Sequence, residues 1–207
     1  MYQNNEKTNM ETRDDVSVYR TPPGQKLTEK FPVLTYGDIP QIPLTEWSFT
    51  IDGLVNNKIT FNWEEIMSFK QTILTKDFHC VTQWSRLDNL WEGIRVKDLI
   101  GKNNLKSNAK YALIYCYGGY TTNLPSEVLL EDDVLLAHKH DGDNLSPEHG
   151  GPMRLVVPKL YAWKSAKWIK GINFIENEEL GFWENLGYHS YGDPWNCLLY
   201  TSDAADE

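Results

Sequence analysis

The sequence is poor in cysteine, with three among 207 residues, Cys80, Cys116 and Cys197. Their odd number and wide spacing exclude a fully paired disulfide framework and the common Cys-x-x-Cys zinc and dithiol motifs. At least one thiol is therefore unpaired, and free thiols persist best in a reducing compartment. Because the polar amino end carries no visible export signal, we expect a cytoplasmic location.

Long apolar runs and an excess of positive charge are also lacking. The longest apolar run, residues 111–117, is far shorter than the ~20 residues that span a bilayer. The chain carries 20 basic and 29 acidic side chains, a formal charge of −9. Such a chain repels nucleic acid and anionic lipid. We expect neither a nucleic-acid partner nor stable membrane insertion.

Several common catalytic motifs are absent from the sequence. It contains no GxSxG, HExxH, P-loop or GxGxxG pattern, which removes the usual signals for hydrolases, zinc proteases, nucleotide hydrolases and dinucleotide enzymes. His138 and His140 form a His-x-His pair on a predicted strand. A zinc enzyme that uses them therefore stays open as an alternative.

The pattern of apolar residues and turn residues predicts an α+β fold of largely β character. Alternation at Trp47, Phe49 and Ile51, followed by the turn residues Asn56 and Asn57, predicts a hairpin. Further strands are predicted over 72–80, 111–117, 134–140, 154–157 and 163–175, and short helices over 62–69, 96–100 and 126–130. We expect a flexible N-terminal arm over residues 1–25, a domain over 26–200 and an acidic tail over 201–207. The aromatic segment after residue 181 is expected to be a surface coil.

Charge is most unevenly distributed between residues 149 and 175, which include no acidic side chain. Five cations lie there: Arg154, Lys159, Lys164, Lys167 and Lys170. This segment is either a pocket for an anion such as phosphate or a chance surface run. If it forms a strand, alternation lets at most half of these cations reach one ligand.

Cys80 ends a predicted strand and begins a turn. Taken alone, a free cysteine is usually a small buried apolar residue.

The sequence blocks around Cys80, however, resemble the molybdopterin domain of the sulfite oxidase family. The matching blocks are FHCVTQWS (78–85), WEG (91–93), GGYTTNLP (118–125), PEHGGPMRLVVP (147–158) and KSAKW (164–168). The similarity runs from about residue 26 to residue 200. It is to short, stand-alone bacterial members and, more distantly, to the catalytic subunit of the periplasmic methionine sulfoxide reductase.

The resemblance implies a sulfite oxidase-type fold and a molybdenum cofactor with one pyranopterin per metal. It also implies an oxidoreductase that transfers an oxygen atom, with two electrons, on a small substrate such as sulfite or an S- or N-oxide. Because the chain has neither a CxxCH haem motif nor a flavin fingerprint, a separate haem or flavin protein would exchange the electrons.

The resemblance also implies the site residues. Cys80 would ligate molybdenum, as suits a soft thiolate, and Tyr120 would lie near the reacting oxygen. Family positions that contact the pterin or its phosphate correspond to Thr35, Tyr36, Cys116, His149, Arg154, Ser165, Ala166 and Lys167.

Two positions depart from the pattern of the family. Leu34 and Ser85 stand where sulfite oxidases have arginines that hold the substrate oxyanion, and Arg86 comes one place later. Because these two charges are missing, the sequence does not decide whether sulfite is the substrate. The departures also leave open a non-catalytic protein of the same fold that binds molybdopterin or another anion.

Overall fold

Strands form most of the regular structure of the chain. The computed structural model describes residues 17–101 and 104–200. Short α-helices lie at Trp63–Met67, Val96–Ile100 and Ser126–Leu129, and 3-10 turns at Pro147–His149, Ala162–Lys164 and Glu184–Leu186. The strands are β1 (Lys26–Leu27), β2 (Ser48–Gly53), β3 (Ile59–Asn62), β4 (Thr72–Cys80), β5 (Trp84–Arg95), β6 (Tyr111–Cys116), β7 (Thr121–Pro125), β8 (Leu135–His140), β9 (Asp143–Asn144), β10 (Arg154–Val156) and β11 (Ile169–Ile175).

The strands build two sheets. The first sheet runs β1-β5-β8-β10, with β4 paired to β5 and β9 to β8. The second runs β3-β2-β11-β6-β7, and β11 is parallel to β2 but antiparallel to β6. The mixed sheets with few short helices confirm the predicted α+β class.

The part of the first sheet formed by β8 and β10 is buried on both faces. Leu136 and Leu155 belong to the main core, which also contains Ile51 and Ile172 of the second sheet. Their neighbours on the same strands, among them Leu135 and Val156, belong to a smaller cluster on the other face. A strand buried on both sides needs consecutive apolar residues, which explains runs such as LLA and LVV.

Local sequence signals position the elements around the predicted hairpin. β2 and β3 pair antiparallel, as predicted. At the start of the next helix, the side chain of Asn62 accepts from the Glu65 N–H, and the Glu65 carboxylate accepts from the Asn62 N–H. This capping box satisfies two otherwise unpaired helical donors.

The strand predicted over residues 163–175 is wrong in its first half. Residues 162–164 form a 3-10 turn, and the strand begins only at Ile169. Trp168 has a left-handed φ of 52°, which interrupts an extended chain immediately before β11. The basic side chains of this segment therefore do not alternate across a strand.

β5 is a long strand for which the sequence carries no clear pattern. Its alternation is broken at a bulge between Glu92 and Gly93. A Cβ at Gly93 would lie 2.1 Å from the carbonyl oxygen of Leu136. Glycine is thus required there by the close approach of β8.

The ends of the chain lie partly outside the described residues. Residues 1–16 of the predicted arm and the predicted tail 201–207 are not described. Arg20 forms ion pairs of 2.5 Å with Asp77 and 2.6 Å with Asp88, so the described end of the arm contacts the β4–β5 pair. Among residues 17–101 and 104–200, no helix is both long and apolar enough to cross a membrane.

Candidate functional site

A cavity of about 350 Å³ opens beside the turn between β4 and β5. Its walls come from this turn, the loop at residues 31–36, the segment 149–168 and the aromatic segment 183–188. The lining residues are Phe31, Pro32, Leu34, Thr35, Tyr36, Phe78, Cys80, Val81, Thr82, Trp84, Tyr120, His149, Arg154, Ala162, Trp163, Ser165, Ala166, Lys167, Trp168, Trp183 and Tyr188.

Cys80 lies at the tip of the β4–β5 hairpin. The Gln83 N–H donates to the Cys80 carbonyl, and Gln83 has a left-handed φ of 65°, which closes the turn. The Thr82 hydroxyl donates to the Cys80 sulfur over 3.2 Å. Burial nevertheless raises the pKa of the thiol above its usual 9.0. Without a metal the sulfur keeps its proton, and a metal ion bound to it would displace that proton.

Arg154 is a buried cation at the floor of the cavity. Its guanidinium donates to the carbonyl oxygens of His149 and Ser165 at 2.9 and 2.8 Å. It also lies over the rings of Phe78 and Trp91. Burial lowers its pKa from 12.5 to about 10. Within the described residues no carboxylate pairs with it, so an anionic ligand would supply the missing counter-charge.

Lys167 is the second cation of the cavity. Its ammonium group donates to the carbonyl oxygens of Leu34 and Glu148 at 2.7 and 2.6 Å, and to the Thr35 hydroxyl at 2.9 Å. Burial, and then repulsion from Arg154, lowers its pKa from 10.5 to about 8. None of its partners carries charge, so this ammonium is also available to an anion.

His149 packs between these cations and the loop at residues 31–36. Its ring stacks on Phe31 with centroids 4.5 Å apart. Burial, and then Arg154 and Lys167, lower its pKa below 6.5. The next residue, Gly150, has a left-handed φ of 99°, and a Cβ there would lie 2.9 Å from the Lys167 Cβ. Glycine thus lets the His149 turn lie against Lys167.

The structure brings together all but one of the site residues predicted from the sequence. The nine that line one cavity are Thr35, Tyr36, Cys80, Tyr120, His149, Arg154, Ser165, Ala166 and Lys167. Cys116 is buried outside the lining, where burial raises its thiol pKa and the Arg154 charge opposes the rise.

Only two cations of the basic segment reach the cavity. Lys159 forms an ion pair with Glu131, and Lys170 lies over the Tyr117 ring. Lys164 is buried away from the cavity against Glu184. Of the five cations in the segment, Arg154 and Lys167 therefore line the cavity, and these three lysines have partners elsewhere in the fold. Sequence cannot show this, because each partner is distant along the chain or belongs to another element.

Within residues 17–101 and 104–200, no other arginine takes the place of those missing from the substrate positions. Leu34 lines the cavity, whereas Ser85 is buried and bonded to the His79 ring at 2.8 Å. Arg86 faces away and pairs with Asp141 at 2.5 Å. Among the described lining residues, Arg154 and Lys167 are the only Arg or Lys side chains.

Aromatic residues form much of the cavity wall, and several of them were not predicted from the sequence. Trp163, Trp183 and Tyr188 line the cavity, so the segment after residue 181 is a cavity wall as well as a surface coil. Trp183 stacks on Tyr188 at 5.1 Å, and Trp163 meets Tyr188 edge-on at 5.1 Å. The concentration of aromatic residues near the carboxyl end was the available signal.

The two histidines of the zinc alternative have separate partners. His138 contacts Gln71 at 2.9 Å, and His140 contacts Asn89 at 3.0 Å. Across residues 17–101 and 104–200, no group of three or more potential metal-ligating side chains is assembled. The described residues therefore give no support to a zinc site.

The cavity fits an anionic group that needs a thiolate. Arg154 and Lys167 donate to uncharged partners in the described part of the chain, and the Cys80 side chain lines the same cavity. The Trp84 Nε1 donor is buried without a hydrogen-bond partner, so an acceptor could be bound there. A molybdenum cofactor offers a metal for the thiolate and a phosphate for the cations.

The comparisons with known proteins agree with this geometry. The family model described as "Oxidoreductase molybdopterin binding domain" matches residues 36–183. The chain belongs to this family. It is accordingly an oxidoreductase that uses a molybdenum–molybdopterin cofactor, which confirms the resemblance and the cofactor prediction.

Known relatives support the assignment to this family. The chain is 44% identical to the Uncharacterized oxidoreductase YuiH of Bacillus subtilis, over 93% of this chain and 98% of that protein. It is 25% identical to the Putative protein-methionine-sulfoxide reductase subunit YedZ1 of Azospira oryzae, over 82% of this chain and 66% of that protein. It is 27% identical to Nitrate reductase [NADH] 1 of Phaseolus vulgaris, over 68% of this chain and 20% of that protein. The chain thus spans about two thirds of the second relative and a fifth of the third.

A solved structure shows the same fold. The Sulfane Dehydrogenase SoxCD from Paracoccus pantotrophus superposes with a TM-score of 0.61 at 22% identity. The match covers 67% of this chain and 40% of that chain. At this identity the likeness concerns the fold alone, and it confirms the predicted sulfite oxidase-type architecture.

Cofactor retention is expected to depend on pH through Lys167. An anion binds the protonated ammonium, so retention should fall as the pH rises through about 8, the pKa of Lys167. Lys167→Arg keeps its charge and should retain molybdenum at both about pH 7 and about pH 9.5. Elemental analysis after dialysis at the two pH values measures this. An identical pH dependence in the wild type and the arginine variant would contradict it.

Proposed function

We propose that the enzyme transfers an oxygen atom to or from a small uncharged substrate, such as an S-oxide or an N-oxide. The observation that carries this proposal is the inventory of charges in the cavity. Arg154 and Lys167 are the only cations among the described lining residues, and the cofactor phosphate requires them. An oxyanion such as sulfite would then be desolvated without a partner, which is costly. The remaining wall is largely aromatic.

Each of the chain's own residues has a distinct task in this proposal. Cys80 binds the metal through its sulfur, and the Thr82 hydroxyl stabilises the thiolate. Arg154 and Lys167 hold the phosphate, and His149 orders the loop above them through Phe31. When bound, the molybdenum cofactor supplies the two-electron oxygen-atom transfer. The protein orients the substrate and limits the access of water.

Tyr120 is placed to hold a proton near the substrate. Its hydroxyl donates to the Trp163 carbonyl over 2.7 Å. Burial, and then the Glu184 charge, raise its pKa above 10.0. At neutral pH it is therefore a phenol, and its one O–H is donated to Trp163. In this arrangement it offers its oxygen to the substrate as a hydrogen-bond acceptor, and its high pKa makes it a poor general acid.

A separate redox protein completes the proposed reaction. Among the described residues no group of three or more potential metal-ligating side chains is assembled, and one relative is named as a subunit of a reductase. We also propose a cytoplasmic location. The three cysteines are free in the structure, and the exposed Cys197 thiol is most durable in a reducing compartment.

A substrate panel tests the proposed class. With an artificial electron donor or acceptor, the wild type should turn over S- or N-oxides, or their reduced forms, faster than sulfite or nitrate. Leu34→Arg returns one guanidinium to the cavity and should lower the KM for sulfite about tenfold, the effect of one charged hydrogen bond. Leu44→Arg, at another exposed leucine that does not line the cavity, is the matched control. Preferential turnover of sulfite or nitrate by the wild type would contradict the proposal.

A further inference from the structure

A buried ion pair lies behind the aromatic wall of the cavity. The Lys164 ammonium and the Glu184 carboxylate are 2.6 Å apart, and both side chains have an exposed fraction of 0%. The same carboxylate oxygen accepts from the Thr122 hydroxyl at 2.8 Å and from the Trp163 indole N–H at 3.0 Å. One Glu184 oxygen therefore binds three groups from two different parts of the chain.

Stability alone does not explain such a pair. The desolvation of two buried charges commonly cancels their attraction, so apolar residues of similar volume often stabilise a protein equally well. The second oxygen of Glu184 is also buried without a hydrogen-bond partner. An expensive arrangement of this kind is better explained by the geometry that it imposes on its neighbours.

The neighbours of the pair are the aromatic residues of the cavity. Trp163 precedes Lys164, Trp183 precedes Glu184, and Tyr188 stacks on Trp183. The Tyr120 hydroxyl donates to the carbonyl of Trp163. These four aromatic side chains all line the cavity, whereas Lys164 and Glu184 do not.

We propose that Glu184 is a positioning residue for the substrate wall of the cavity. Through Lys164 and the Trp163 indole it fixes Trp163, Trp183 and Tyr188, and through the Trp163 carbonyl it fixes Tyr120. This inference rests on the proposed function, because it assigns these four side chains to the substrate and the cations to the cofactor.

Hydrogen exchange tests the positioning without any turnover. Three amides report on the wall: those of Phe182, Leu186 and Tyr188, which donate to Thr121 and Trp183 carbonyls at 2.9 to 3.1 Å. In Glu184→Ala these amides should exchange about tenfold faster, while β6 and β11 stay protected. Glu184→Gln keeps an acceptor for Thr122 and Trp163 and should restore most of the protection.

Substrate recognition is measured on the same holoproteins. Binding of methyl phenyl sulfoxide is followed by the change in tryptophan fluorescence. Glu184→Ala should bind it about tenfold more weakly than the wild type, because the aromatic wall is misplaced. In turnover the KM should rise with little change in kcat, and Glu184→Gln should reverse most of the rise. Molybdenum content should be unchanged. Ile66→Ala, at a buried core residue that does not line the cavity, controls for lost stability.

The outcomes separate this inference from the proposed function. If Glu184→Ala exchanges and binds like the wild type, or if Ile66→Ala raises KM equally, the positioning role is wrong. If both Glu184 variants lose molybdenum, Glu184 belongs to the cofactor site and the inference also fails. If the wild type binds the sulfoxide without turnover, the proposed function fails, but weaker binding by Glu184→Ala still supports the positioning role. A wild type that does not bind it overturns both.

Discussion

Replacing Cys80 by serine is expected to leave a folded protein that has lost its molybdenum and its activity. The side chain is buried at the tip of the β4–β5 hairpin, and serine fits that space. The serine hydroxyl, however, has a far higher pKa than the cysteine thiol. It would offer a hard oxygen ligand in place of a soft thiolate. Even outer-shell changes at metal sites cost roughly tenfold to a hundredfold, so a ligand change should cost at least about a hundredfold in turnover.

Elemental analysis and steady-state turnover measure this effect, and the other two cysteines serve as controls. Cys197→Ser alters an exposed thiol and should retain both molybdenum and activity. Cys116→Ser alters a buried thiol outside the cavity lining and should retain the metal. A Cys80→Ser protein with wild-type molybdenum content would disprove the assignment of Cys80 as ligand.

The second large effect is expected from Arg154→Ala. Removing the buried guanidinium takes away the proposed charged partner of the cofactor phosphate, worth about 1.5–3 kcal/mol, or roughly tenfold to a hundredfold in affinity. Arg154 has an exposed fraction of 3%, so water cannot replace it easily. The free energy of unfolding of the apoprotein should fall by less than the free energy of cofactor binding. The reason is that the same change removes a buried cation that has no acidic partner in the described chain.

Molybdenum retained after dialysis, compared with the midpoint of denaturant unfolding, separates these two effects. Lys159→Ala is the matched control, since Lys159 belongs to the same basic segment but pairs with Glu131 at the surface. It should leave retention unchanged. Equal retention in Arg154→Ala and the wild type would show that Arg154 does not bind the cofactor.

Local sequence patterns predicted those parts of the fold and of the site that depend on neighbouring residues. The capping box at Asn62 and Glu65 and the strand that ends at Cys80 can be read from neighbouring residues. The blocks around His149 and Arg154 indicated the cofactor through family resemblance. These features succeed because each depends on a few residues that are adjacent along the chain.

Features that depend on distant contacts could not be predicted. The sequence places Lys164 in a basic segment, but its partner Glu184 becomes a neighbour only when the aromatic segment folds back. The left-handed backbone at Trp168 likewise interrupts a stretch whose composition is typical of a strand. Trp183 and Tyr188 became cavity residues for the same reason, through ring contacts with Trp163 and with each other.

The loop at residues 31–36 has a consequence for the maturation of the enzyme. In the described chain it makes no backbone-to-backbone hydrogen bonds, and it is held over the cavity by side-chain contacts of Phe31, Tyr36 and the Lys167 ammonium. Such a segment opens at a small fraction of the cost of global unfolding. We expect that opening of this loop would let an apoprotein with both sheets complete admit its cofactor. Once the loop closes, escape requires the same contacts to break, which lengthens the residence time of the bound group.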